Sequence, residues 1–402
     1  MTNAPMKKIL TLLALSTLSL AAAQKSVTVG WSGAITGPTS DAGINYGAGA
    51  EDYCKYASAA GLVPGYKLNC IARDDQYINA NTQRNFEDYV GNMGAPLFLG
   101  YSTGATLQLK PTIQETKTPS IMGTFHIGNI DSPNGQYVFL PISSYSEQVV
   151  SLLEYIAKKD RKAKIALVVN PSPFGRAPVD DARKAATRLG LTIVDVQEVG
   201  ANNLDNTALL KRFEAAGIQY VVNQNTAGPV ANILKDAQRL GLLGKIQFMG
   251  AHYTGGEDLT RLAGAAAKDF IWATSYYLSD EATQPGMILV KKIGAQFGRS
   301  PATIQSVHYT SGMTASAIAV EAIRRASLKG AVTNLTVYDA LLTFNGSKSF
   351  DPGFTVSPVI FTKTDHVGAE GLRYLQADAT GNFKAISSPF KSNLFRLVHP
   401  PQ

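Results

Sequence analysis

The sequence predicts an α/β protein built as two doubly wound, parallel-sheet lobes. Short apolar runs alternate with amphipathic stretches through most of the 402 residues, the order that calls for parallel strands joined by crossover helices. The chain is longer than one hydrophobic core usually holds, so two domains are expected. A third observation is local: the apolar runs end in segments rich in Gly, Ser, Thr, Asn, His and aromatics, and open parallel sheets bind ligands at the carboxyl ends of their strands.

The chain starts with Met6-Lys7-Lys8, an apolar run from Ile9 to Leu20, and Ala21-Ala22-Ala23 before Gln24. Two lysines, a run short for a bilayer and small residues at 21 and 23 mark residues 1–23 as a cleaved secretory signal peptide. No cysteine follows that run, so the mature chain is expected to be periplasmic or extracellular without a lipid anchor. Cysteine use agrees with export. The even pair Cys54 and Cys70 suggests one disulfide in an oxidising compartment, with two free thiols as the alternative. Two such ligands are too few for a structural zinc site. The formal charge of +7 falls by two with Lys7 and Lys8, and the remaining Lys and Arg are scattered. That pattern excludes the basic runs of a nucleic-acid face.

After the leader, Val27–Trp31, Lys67–Ile71, Pro96–Leu99 and Pro119–Met122 read as strands, with helical patterns such as Ile78, Thr82, Phe86 and Val90 between them. A second series opens with Ser144 and Glu147, a capping-box pattern ahead of Val149, Val150, Leu152, Leu153 and Ile156. It continues through strands Ile165–Val169, Thr192–Val196, Tyr220–Asn223, Ile246–Met249 and Phe270–Ala273. The strand-end segments Trp31–Gly33, Gly100–Gly104, Gly123–His126, Asn170–Phe174, Asn223–Thr226 and Gly250–Tyr253 are the candidate site, a lining suited to a small polar or aromatic solute.

Several of these segments carry a resemblance. Gly33-Ala34-Ile35-Thr36-Gly37-Pro38, Asp74-Asp75, Gly100-Tyr101-Ser102-Thr103-Gly104-Ala105-Thr106 and Phe248-Met249-Gly250 resemble the leucine/isoleucine/valine-binding family of ABC-transporter receptors, in order from about Val27 onward. The resemblance implies a type I periplasmic-binding fold with a three-stranded hinge. Lobe 1 would comprise residues 24–143 and 277–366, and lobe 2 residues 144–276 and 367–402. It also implies an exported monomer that closes on a small carboxylate and delivers it to membrane subunits, with no cofactor, metal or nucleic acid.

In the amino-acid-binding members, hydroxyls and N–H groups of lobe 1 hold the ligand carboxylate, and an acid of lobe 2 holds the ammonium. The match puts the carboxylate site at Ser102, Thr103, Thr124, Phe125 and His126, where a helix starting near Gly104 would offer free N–H groups and its positive dipole end. On lobe 2, Phe174 matches a pocket tyrosine, and Asn225, His252 and Tyr253 lie at strand ends; Tyr309, Tyr276, Tyr277 and Trp31 are further aromatic candidates. This chain has Gly250-Ala251-His252 where the amino-acid receptors carry Gly-x-Glu. A desolvated ammonium without a carboxylate partner costs several kcal/mol. The expectation is therefore an aromatic or branched-chain organic acid ahead of an α-amino acid, unless Glu257 or Asp258 reaches the site.

The sequence leaves two other classes open. Gly100-Tyr101-Ser102-Thr103-Gly104 is a literal G-x-S-x-G between a strand and a helix, which an esterase would complete with an acid and with His252, His308 or His366. The same residues are accounted for as an anion cradle, so no enzyme is expected. A ligand-sensing subunit of the same fold is the third reading.

Overall fold

The computed structural model describes residues 25–400; the signal peptide expected at 1–23 lies outside them. The first sheet holds β1 (Lys25–Gly33), β2 (Tyr66–Asp74), β3 (Phe98–Gly100), β4 (Ser120–Met122), β5 (Val138–Ile142) and, from far along the chain, β11 (Val367–Ala369). Its order is β11-β5-β4-β3-β1-β2, and every pairing is parallel. The second holds β6 (Lys164–Val169), β7 (Thr192–Glu198), β8 (Tyr220–Gln224), β9 (Gln247–Gly250), β10 (Ile271–Thr274), β12 (Arg373–Ala377) and β13 (Phe383–Ala385). Its order is β13-β12-β10-β9-β8-β6-β7, parallel as far as β10 with an antiparallel edge in β12 and β13.

The burial pattern explains the readable strands. β3, β4, β5 and β10 are buried along their whole length, as continuous apolar strands covered on both faces should be. The edge strands β2 and β7 are only partly buried. The strand β5 was not readable because Pro141 interrupts it, and a proline argues against a ladder strand.

Lobe 1 is completed by the helix Val307–Ser327, which packs along the helix Ser40–Ala59. Their backbones touch. A Cβ on Gly312 would lie 1.9 Å from the Tyr46 carbonyl, and one on Gly49 2.0 Å from that of Tyr309. Beside this contact the Arg299 guanidinium forks onto Asp52, both bonds 2.7 Å, and the Tyr309 hydroxyl donates to the same carboxylate. Cys54 of the helix and Cys70 of β2 form a disulfide with Cα atoms 5.8 Å apart.

The chain passes between the sheets three times. The first two passages, after Ile142 and Thr274, meet through Ser143 Oγ and Ser275 Oγ, 2.9 Å apart. The third differs from the boundary expected at residue 366, because Val367–Ala369 still pairs with β5. The chain therefore crosses between Ala369 and Arg373. Ser143 N–H donates to the Ala369 carbonyl, and the Arg373 guanidinium donates to the Tyr276 carbonyl and pairs with Glu281, which ties the second and third crossings together.

Beyond β13 the helix Asn393–Val398 lies on the lobe-2 helices Tyr145–Lys159 and Val179–Leu189. It ends at His399, whose ring sits 3.1 Å from Asp181 of lobe 2 and 3.4 Å from Asp131 of lobe 1.

Two outcomes follow. Replacing Cys54 and Cys70 by Ser opens a loop of 16 residues and should cost about 3 kcal/mol by chain entropy, read from the denaturation midpoint. Asp131 and Asp181 hold the His399 pKa up, to about 9 from 6.5. A raised folded-state pKa stabilises fully below the unfolded value and is lost as pH rises through the folded one. His399→Ala should therefore lower the melting temperature at pH 6 and close the gap to the native chain as pH passes about 9. The effect at pH 6 should be about 1 kcal/mol, because the contact is partly solvated.

Candidate functional site

The carboxyl ends of both sheets face each other, and between them lies a cavity with about 220 Å³ of empty space. Lobe 1 contributes Thr39, Tyr77, Tyr101, Thr103 and Gly123, and lobe 2 contributes Tyr145, Phe174, Thr226 and Tyr253. None of these is ionic, so the cavity is neutral and mostly aromatic.

Its polar end is built at the start of the helix Thr103–Thr116. Ser102 is the N-cap; its hydroxyl accepts the Ala105 N–H at 3.3 Å, which leaves Thr103 as the first helical residue. Thr103 Oγ1 and Thr124 Oγ1 are 2.7 Å apart, and the Tyr145 hydroxyl lies against both. The N–H groups of Thr103 and Thr124 meet no acceptor among the described residues. Two hydroxyls, two free N–H groups and a helix N-terminus converge, which is an anion cradle without a fixed cation.

Tyr253 forms the opposite wall. Its ring stacks on Phe125 at 5.7 Å and on His308 at 5.2 Å, and meets Tyr101 and Phe174 edge-on. The hydroxyl crosses the cleft and donates to the Gly123 carbonyl at 2.5 Å. Burial pushes the Tyr253, Tyr101 and Tyr145 pKa values upward, so all three phenols are neutral donors in physiological conditions.

His252 is not part of the wall. It is fully buried behind Tyr253, with Nδ1 3.1 Å from Thr274 Oγ1 and Nε2 3.2 Å from Ser311 Oγ. Because the Ser311 hydroxyl donates to the Val307 carbonyl, it accepts from Nε2–H, and Nδ1 accepts from Thr274. Burial holds the imidazole well below its usual pKa; it is a neutral strut.

The other sequence candidates divide the same way. Thr103, Phe174 and Tyr253 line the cavity and Thr124 supports Thr103, whereas Ser102 caps its helix and Phe125 sits beneath the Tyr253 ring. His126 is turned toward Asp131 and Lys110, and burial lowers its pKa to about 4. Asn225 is one residue from the wall, where its side chain accepts the Thr226 N–H and donates to the Val199 carbonyl. Tyr309 lies away from the cavity, its hydroxyl committed to Asp52. Glu257 and Asp258 do not line it either: Glu257 accepts from Ser279, and burial raises its pKa to about 8, while Asp258 takes Ser306 and Arg261. As for the G-x-S-x-G motif, no histidine is a hydrogen-bond partner of Ser102 among the described residues; His252, His308 and His366 are held elsewhere.

Sequence reasoning missed Thr39, Tyr77 and Tyr145. The usable signal was Asp74-Asp75. Asp74 accepts the N–H groups of Ile35, Thr36 and Gln76, pinning the loop that carries Thr39. The buried Asp75 accepts from Tyr77 N–H, Ser32 and Thr82. The carboxylates thus hold Thr39 at φ 66°, Gln76 at 57° and Tyr77 at 61°, conformations that non-glycine residues adopt only when tied.

A model of the family described as periplasmic binding protein matches residues 26–382. A crystal structure of a branched chain amino acid ABC transporter from Thermus thermophilus with bound valine is 62% identical. The match covers 94% of this chain and 99% of that one, with a TM-score of 0.92. The leucine-, isoleucine-, valine-, threonine- and alanine-binding protein of Pseudomonas aeruginosa is 23% identical over 258 residues, 63% of this chain and 67% of that protein. The solute binding protein of an ABC transporter from Rhodopseudomonas palustris BisB5, solved with 3,4-dihydroxy benzoic acid, shares the fold at 20% identity. Its TM-score is 0.76, with 91% of this chain and 97% of that one covered.

A carboxylate ligand bound in the cradle loses one charge-assisted hydrogen bond in Thr103→Val and should bind about tenfold more weakly by calorimetry. Tyr309→Phe should leave affinity unchanged and lower only the melting temperature.

Proposed function

The chain belongs to the periplasmic binding protein family and is the solute-binding component of an ABC transporter; from that premise we propose that its solute is a small aliphatic α-amino acid, valine first. The observation that carries this is the match, over 94% of this chain, to the 62% identical Thermus thermophilus protein solved with valine. The lining agrees with it: hydroxyls and aromatic rings without an ionic group suit a small solute with an apolar side chain.

In this reading the ligand carboxylate sits on Thr103, Thr124 and the helix N-terminus, and the side chain packs on Phe174. The ammonium meets the Thr39 hydroxyl, buried without a partner among the described residues, the Gly123 carbonyl and the faces of Tyr101, Tyr145 and Tyr253. A desolvated cation over aromatic faces gains about 2 kcal/mol, and the ligand enters as a zwitterion of zero net charge. This reverses the preference for an organic acid drawn from Gly250-Ala251-His252. The argument there rested on the missing lobe-2 carboxylate; in this reading hydroxyl, carbonyl and aromatic faces take its place, while His252 stands behind Tyr253. A 2-keto acid is the second reading, favoured by the lack of any carboxylate in the wall.

The family is extracytoplasmic, and the leader pattern supports removal of residues 1–23 on export; the chain is taken to act as a monomer. The lobes are taken to close as rigid bodies about the three crossings.

Calorimetry of refolded, ligand-free protein decides between the ligands. Valine should bind with submicromolar affinity and its 2-keto analogue at least about tenfold more weakly. The reverse order would overturn the amino-acid reading.

A further inference from the structure

The N-terminus of the lobe-2 helix Ala227–Arg239 is capped from the other lobe. Thr226, its own N-cap, makes no side-chain cap bond; its side chain lines the cavity instead. The Gly228 N–H donates across the cleft to Asp41 Oδ2 at 3.1 Å. Asp41 lies in the first turn of the lobe-1 helix Ser40–Ala59, where its other oxygen accepts the Ala42 N–H at 3.1 Å and aims the carboxylate.

We infer that Asp41, without touching the solute, is the closing latch of the cleft: a carboxylate that docks on the helix Ala227–Arg239 only when the lobes meet, and so sets how long the solute is retained. This rests on the reading that solute is held by lobe closure. Three features fit that role. Gly228 leaves room for the contact, since a Cβ there would lie 3.1 Å from Asp41 Oδ2, closer than ordinary van der Waals contact. The carboxylate meets the positive end of a 13-residue helix, where it is worth most. The same loop, pinned by Asp74, also presents Thr39 to the cavity, so the segment that meets the solute is the one that engages the latch.

The contact is at the exposed rim, so its effect should be moderate. Asp41→Ala should speed valine release about fivefold in stopped-flow fluorescence, while the association rate stays the same and the ligand-free melting temperature falls only by the smaller loss of the first-turn bond from Ala42 N–H. Asp41→Asn, which keeps an acceptor but loses the charge, should fall between. Gly228→Ala tests the contact from the other lobe; if the two residues act through one interaction, the double variant should release valine no faster than Asp41→Ala alone. The closed fraction of ligand-free protein gives a readout independent of the solute. Single-molecule energy transfer between dyes at Glu115→Cys in lobe 1 and Arg183→Cys in lobe 2 should show that fraction fall by the same factor in Asp41→Ala. A native chain that binds no valine would remove the proposed ligand but leave this measurement valid. An unchanged closed fraction, unchanged release, additive variants or an equal loss of ligand-free stability would each overturn the latch.

Discussion

Three single-chain crossings, after Ile142, Thr274 and Ala369, hold two rigid sheets with their carboxyl ends facing, and the cleft exists because of that constraint. Each sheet alone would present its strand ends to water. The crossings are short and share their hydrogen bonds: Ser143 with Ser275 and with Ala369, Arg373 with Tyr276. Through those bonds the three crossings form one hydrogen-bonded unit between the lobes, the place where the proposed closure would turn. The position of the third crossing matters here. Because β11 stays in the first sheet and β12 joins the second, all three passages lie side by side.

The site that this hinge assembles is neutral throughout. Fixed charges near the cleft are spent on backbone: Asp74 and Asp75 on the loops carrying Thr39 and Tyr77, Asp41 on a helix end. The wall itself offers a ligand only dipoles, hydroxyls and aromatic faces. A buried side-chain ion must be compensated in the empty state as well as the filled one, and its desolvation is expensive. Under the proposed closure, hydroxyls and N–H groups would be wetted in the open state, so a neutral wall lowers the cost of passing between open and closed.

Most inner strands were legible because each is a short, continuous apolar run, and burial on both faces demands that pattern. The apolar β5 was not, since Pro141 interrupts its run, and the short antiparallel strands β12 and β13, with their mixed polar composition, were not either. In the site, Thr103 and Thr124 were legible because they follow β3 and β4 directly. The distance in sequence between Asp74 and the Thr39 loop hid the reason for that motif, and Tyr145 was hidden because its neighbours read as a helix start.

By itself the sequence determined the order of most elements, the parallel character of the inner sheets and the strand ends where a ligand is expected, because these follow from local periodicity and from the geometry of parallel sheets. The tertiary structure decided which of those strand-end side chains face the cavity. His252 and Tyr253 are adjacent in the chain and equally placed by any sequence rule, yet one is a buried strut between Thr274 and Ser311 and the other a wall that reaches Gly123. Their roles separate because the packing of β10 and the helix Val307–Ser327 behind them supplies partners for the imidazole, and the far lobe supplies one for the phenol. Those partners are between 20 and 130 residues away, and only the folded chain brings them within hydrogen-bonding distance.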